Sequence, residues 1–201
     1  MRLTIAYYYT PCGRSIQKPY EEGKEKYDKE IKERQVKGEL TNAQKINFAN
    51  SPKYFTLIKN REVYGGGGIM PDIFVPIDTM YKTTFYNEIV KKEILNEFII
   101  SYLDENRSDL KNNYRNFNKF KQHFQVNDKM FNNLVKMAEK EEIVYKSEEL
   151  KVSKKYIQTK IKATLAKYIY ANSKYYDIMN EINPTYLRSI EILEKPSRHY
   201  M

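Results

Sequence analysis

The pattern of apolar and polar positions changes character near residue 78. Before that point apolar residues come in short clusters of β-branched and aromatic types: residues 3–9 (Leu-Thr-Ile-Ala-Tyr-Tyr-Tyr), 54–58, the pair Val63-Tyr64, and 73–75, closed by Pro76. Clusters of this length and composition read as short strands. The first stops at Thr10-Pro11-Cys12-Gly13, where Pro fixes φ and Gly accepts φ > 0, so a turn is predicted there. Residues 21–37 carry no apolar stripe. Instead Glu22/Lys26, Glu25/Lys29, Asp28/Lys32, Glu30/Arg34 and Glu33/Lys37 stand at i,i+4 with the acid first. That order predicts an exposed helix with ion pairs of ~0.2–0.5 kcal/mol each, ending near Gly38.

Beyond residue 78 the spacing becomes helical. Val90, Ile94, Phe98 and Tyr102 form one i+4 row and Leu95, Ile99 and Leu103 the adjacent one, a face wide enough to be largely buried. Phe131, Leu134, Val135 and Ala138 repeat the helical spacing, and Ile157, Ile161, Leu165, Tyr168 and Ile169 mark a longer helix. Pro184 after Asn183 suits the start of a last short helix through Tyr186, Ile190 and Leu193. The expected architecture is α+β: a β-containing segment at 1–78 with a helical insertion at about 20–60, then a helical region at 79–201. No fixed-period repeat is present.

Charge changes this picture little. The 35 Lys+Arg against 26 Asp+Glu leave an anionic partner open, but the charges of residues 18–39 balance, seven against seven. The 19 tyrosines interleave with lysines, an arrangement that suits single-stranded nucleic acid. Tyr102 and Tyr168 nevertheless fall on apolar helix faces, which points to packing with the hydroxyl at the edge, and no nucleic-acid partner is read. The longest nearly apolar stretch, residues 98–103, is far too short to span a bilayer. Residues 1–6 enter a strand pattern directly, so no export signal is read. Cys12 is the single cysteine, which excludes an internal disulfide and suits a small turn residue.

Several residue sets invite a chemical reading. The run Gly65 to Gly68 resembles a phosphate cradle, but it is followed by Ile69, Met70 and Pro71 rather than by Lys-Ser/Thr opening a helix, and it reads as a chain reversal. Ser15 with Lys18 and Ser108 with Lys111 match Ser-x-x-Lys. Nine serines and 27 lysines in 201 residues make about one such match expected by chance. On an extended segment Lys18 would also point to the face opposite Ser15. His123 and His199 have no carboxylate or thiol at metal-ligand spacing, so no metal site is read. No catalytic, cofactor-binding or metal residue is assigned.

Residues 3–17, Leu-Thr-Ile-Ala-Tyr-Tyr-Tyr-Thr-Pro-Cys-Gly-Arg-Ser-Ile-Gln, and residues 68–76, Gly-Ile-Met-Pro-Asp-Ile-Phe-Val-Pro, occur in the order of two motifs of carboxyl-terminal processing (tail-specific) serine peptidases. The chain resembles the end of that family's core. Cys12 stands at a small position where Ser is common. The resemblance implies that the β segment is the last part of an α+β peptidase core, followed by a helical extension. It also implies a Ser nucleophile activated by a largely neutral Lys. In the family both residues, the substrate-selecting PDZ domain and the signal peptide precede the first motif, so none transfers to a position here. The expectation is therefore a C-terminal portion of such an enzyme, inactive alone and without a cofactor. Its partners would be the upstream core and PDZ domain, it would meet protein or peptide substrates only within the intact enzyme, and that enzyme would work in the periplasm or cell envelope. A helical protein-interaction module, with residues 1–78 a relic, and a basic nucleic-acid binder are the competing classes.

Overall fold

The computed structural model describes residues 6–18, 23–46 and 51–194. The chain divides into two compact units, Met1–Ile77 and Asp78–Met201, each described here by itself. In the coarse sense the chain is α+β: mostly helical, with a small two-stranded antiparallel sheet.

In the first unit, helix α1 (Gly23–Val36) ends in two turn bonds, Gly38 N–H to the Gln35 carbonyl (3.0 Å) and Glu39 N–H to the Arg34 carbonyl (3.0 Å). These form a Schellman motif, and Gly38 supplies the left-handed residue it needs at φ 77°. Glu25–Lys29 forms at 3.9 Å. Glu30 and Arg34, expected to pair with each other, instead reach out of the helix. Glu30 meets Lys18 at 2.6 Å and Arg34 meets Glu39 at 3.0 Å.

Strands β1 (Lys53–Phe55) and β2 (Glu62–Tyr64) pair with Tyr54 opposite Val63. Leu57 and Ile58, read from sequence as strand, lie in the loop between them, where Asn60 turns the chain with φ 48°. Thr56 N–H to the Arg61 carbonyl and Asn60 N–H to the Thr56 carbonyl, both 3.0 Å, close the tip.

Two expected strands are not seen among the described residues. Of residues 3–9, residues 3–5 lie outside the described residues, and 6–9 contribute only an isolated bridge, Tyr9 to Ser15. Residues 73–75 are irregular. A strand exists only when a neighbour completes its hydrogen bonds, and neither segment has such a ladder among the described residues. Among the described residues of this unit only Gly65 is buried, and no described apolar side chain is.

Among the described residues the second unit holds seven α-helices and one 3-10 turn (Asn180–Ile182), and all the α-helices but the last contribute to a shared core. α2 (Thr84–Lys91) and α3 (Ile94–Asn113) are separate, although their apolar rows run on in sequence. The chain breaks at Lys92-Glu93, with Glu93 left-handed at φ 60°, and Val90 ends up partly exposed. α4 (Phe117–His123) and α5 (Asp128–Lys140) start at Asn116 and Asn127, whose side chains accept N–H bonds at 2.9 Å from Lys119 and Met130. Each is an N-cap that satisfies an otherwise unbonded donor. α6 (Ser147–Ile169) is the longest helix and packs against α2, α3 and α7 (Asn172–Met179). α8 (Pro184–Glu194) begins with proline, and Asn183 Oδ1 accepts the Thr185 and Tyr186 N–H groups.

The core joins Phe85, Ile89, Leu95, Phe98, Ile99 and Leu103 to Phe131, Leu134, Ile157, Ile161 and Leu165. Phe120 and Phe124 stack at 4.6 Å, with Tyr114 edge-on to both. Polar links also tie distant helices together, among them the following two. Glu149 Oε2 accepts the Phe85 N–H at 3.0 Å, capping α2 from α6. Tyr170 donates its hydroxyl to the Tyr114 carbonyl at 2.6 Å. The α8 face of Tyr186, Leu187 and Leu193 stays exposed. No helix among the described residues is long and apolar enough to cross a membrane.

Candidate functional site

The motif residues converge in the first unit. Gly13 N–H bonds the Thr10 carbonyl at 2.8 Å and Thr10 N–H bonds the Arg14 carbonyl at 2.9 Å, closing the turn that Pro11 and Gly13 prescribe. Thr10 Oγ1 also donates to the Arg14 carbonyl at 3.2 Å and lies 3.2 Å from Cys12 Sγ. That contact holds the Cys12 thiol below its ordinary range, chiefly through the Thr10 hydrogen bond.

The chain leaving the turn then pairs with the glycine run, some 50 positions later. Gly66 N–H bonds the Ser15 carbonyl (3.2 Å) and Gly68 N–H the Ile16 carbonyl (2.9 Å). Arg14 Nη1 reaches the Tyr64 carbonyl at 3.4 Å, while its buried Nε has no hydrogen-bond partner among the described residues. Gly65 sits where these segments cross. A Cβ there would lie 2.8 Å from Tyr54 Cε2 and 3.3 Å from the Ser15 carbonyl oxygen, so the close approach requires glycine. The run thus serves as a crossing and a partner strand edge.

The Ser-x-x-Lys pairs take other partners. Ser15 Oγ faces the backbone of Gln17, at 3.3 Å from its N–H and 3.4 Å from its carbonyl. Lys18 is ion-paired with Glu30 and lies 3.8 Å above the Tyr27 ring. Ser108 and Lys111 are both exposed on α3. His123 ends α4 in solvent, and His199 lies outside the described residues. No group of three His, Cys, Asp or Glu side chains could hold a metal among the described residues.

Tyr102 packs on the core as expected, whereas Tyr168 faces solvent. Sequence reasoning missed an aromatic cluster in the second unit. Tyr81 stacks on Tyr156 at 3.5 Å, Tyr86 meets both edge-on, and Lys160 Nζ donates to the Tyr86 hydroxyl at 2.8 Å. The 75 residues from 81 to 156 separate its first two members, and no local period could announce it.

Compared with known proteins, the chain matches one family model, described as a family of unknown function (DUF8443), over residues 85–171. That span runs from α2 through the end of α6 and holds most of the core. No curated protein and no solved structure matches the chain.

Proposed function

We propose that the first unit is the closing part of a carboxyl-terminal processing serine peptidase core, and that the chain takes part in peptide-bond hydrolysis only with a Ser/Lys-bearing core contributed by other sequence. The observation that carries this reading is a hydrogen-bonded backbone with no buried apolar side chain among the described residues. One hydrogen bond, Gly68 N–H to the Ile16 carbonyl, joins the two family-like motifs, and Gly66 N–H to the Ser15 carbonyl runs beside it, yet no described apolar side chain of this unit is buried. Turn and ladder bonds contribute only ~0.5–1.5 kcal/mol each, so a unit of this kind depends on apolar burial from elsewhere. The purified chain should leave casein intact. Mixed with a family peptidase core lacking its own last strands, it should bind and raise hydrolysis. Casein cleavage by the chain alone, lost in Ser15→Ala, or failure to bind the truncated core, would overturn the proposal.

A second reading, a helical protein-interaction module, has its own support: the family match at residues 85–171 coincides with the helices that share one core. Residues 78–194 expressed alone should then melt cooperatively.

A further inference from the structure

A single residue separates α2 and α3 from being one helix. Lys92, at φ −85° and ψ 9°, lies beside the helical region and still donates its N–H to the Glu88 carbonyl at 2.9 Å, as a helical residue does. On the other side, Glu97 N–H already bonds the Glu93 carbonyl at 2.9 Å. Glu93 itself is left-handed, at φ 60° and ψ 7°, and its side chain makes no capping bond. Its N–H turns to the Val90 carbonyl at 3.1 Å. Left-handed backbone is unfavourable for a residue with a Cβ, and glutamate is a good helix former. No Gly or Pro stands between Thr84 and Asn113, and the row Val90, Ile94, Phe98, Tyr102 runs across the break. Local sequence therefore asks for one continuous helix.

Tertiary burial holds the bend. Phe85 and Ile89 are fully buried and Tyr86 nearly so, and α2 packs on α3 and α6. Tyr81, just ahead of α2, stacks on Tyr156 of α6, and Glu149 of α6 accepts the Phe85 N–H. Straightening the junction would pull these groups off their own core, which the hydrophobic effect opposes in a monomer. A second copy of the chain offers the same surface on α6, already complementary to α2. Exchange between two copies remakes every α2–α6 contact and relieves one left-handed glutamate in each chain, against the cost of association. A short, strained hinge between two packed elements invites such an exchange.

We propose that Glu93 is a hinge for exchange with a second copy of this chain: it turns right-handed, α2 and α3 fuse into one helix, and each α2 docks on α6 of the other copy. Every residue used lies in the second unit, so the proposal is independent of the peptidase reading. The full-length chain, kept reduced so that Cys12 links nothing, is concentrated, warmed to just below its melting temperature, cooled and followed by sedimentation velocity. A dimer should appear that persists on dilution in the cold and reverts to monomer on rewarming. Glu93→Ala should leave the dimer at least as abundant. Glu93→Gly eases the left-handed residue and weakens the fused helix at both hinges, so it should lower the dimerisation constant at least about tenfold. Lys82 and Lys155 are exposed neighbours of the stacked Tyr81 and Tyr156. In dimer formed from unlabelled and heavy-isotope-labelled chains, lysine cross-links between them should join different chains. The absence of a cold-stable dimer, equal dimerisation of Glu93→Gly, or Lys82–Lys155 cross-links confined to one chain would overturn the proposal. So would a dimer abolished by Leu187→Ser/Leu193→Ser on the exposed α8 face.

Discussion

The two units of this chain solve the same problem in different ways. Both contain tight turns, capped helix ends and aromatic residues. The helical unit hides Phe85, Ile89, Phe120, Leu134, Ile157, Ile161 and Leu165 almost completely. The β-containing unit leaves Tyr8, Phe55, Leu57, Ile58 and Ile69 more than half exposed and buries no apolar side chain among its described residues. Local bonding can set the path of a chain; the free energy that holds it comes mainly from apolar surface removed from water. The contrast therefore predicts that stability is concentrated in one half of the molecule.

The sharpest break of that contrast is a core truncation. Phe120→Ala should cost ~3–5 kcal/mol, as removal of a buried aromatic does, and lower the melting temperature followed by helical circular dichroism. Ile58→Ala should change it by no more than ~0.5 kcal/mol. Equal effects would show that the β unit has a core of its own.

High pH should act on the helical unit next. Burial raises the phenols of Tyr102, Tyr156, Tyr170 and Tyr175 above the ordinary value of 10.0, with neighbouring tyrosines adding to the effect. A group whose pKa is higher in the folded than in the unfolded chain stabilises fully below the unfolded value, and its contribution is lost as pH rises through the folded one. Helical signal should thus hold to about pH 10 and decline above it. Tyr156→Phe should flatten the decline.

A smaller, stabilising effect is expected at the end of α5. Ile143 N–H bonds the Ala138 carbonyl and Glu142 N–H the Glu139 carbonyl, both at 3.0 Å, forming a Schellman motif with Glu142 at φ 55° where glycine is usual. Glu142→Gly should raise stability by up to ~1 kcal/mol, read by urea denaturation. At the low end, Glu25→Gln should cost no more than ~0.5 kcal/mol, because the exposed pair with Lys29 is screened by solvent. A larger loss would mean that α1 packs on its surroundings through more than charge.

Sequence pattern made the long helices readable and the breaks between them obscure. Phe131, Leu134, Val135 and Ala138 of α5, and Ile157, Ile161 and Leu165 of α6, are buried as their spacing requires. The break between α2 and α3 left no mark, because its left-handed residue is Glu93 rather than glycine and the apolar period continues across it. α4, with seven residues and one buried side chain, Phe120, is too short to display a period. At the candidate site, Pro11 and Gly13 announced the turn. The pairing of Ser15 and Ile16 with Gly66 and Gly68 was not legible, since contacts across 50 residues depend on tertiary geometry that no local window contains. For the same reason residues 73–75 read as a strand on side-chain preference, while the structure gives them no ladder.

The position of α6 has a consequence during synthesis. Residues 94–103 of α3 bury their apolar rows against α5 and α6, and α6 ends at Ile169. At translation speeds of about 5–20 residues per second, the earlier helices wait on the order of several seconds before that partner exists. During that interval Phe98, Ile99 and Leu103 are open to any apolar surface nearby. A slow ribosome, or a chain stalled before residue 147, would make the nascent protein a client for chaperones through the very side chains that the finished helical unit buries.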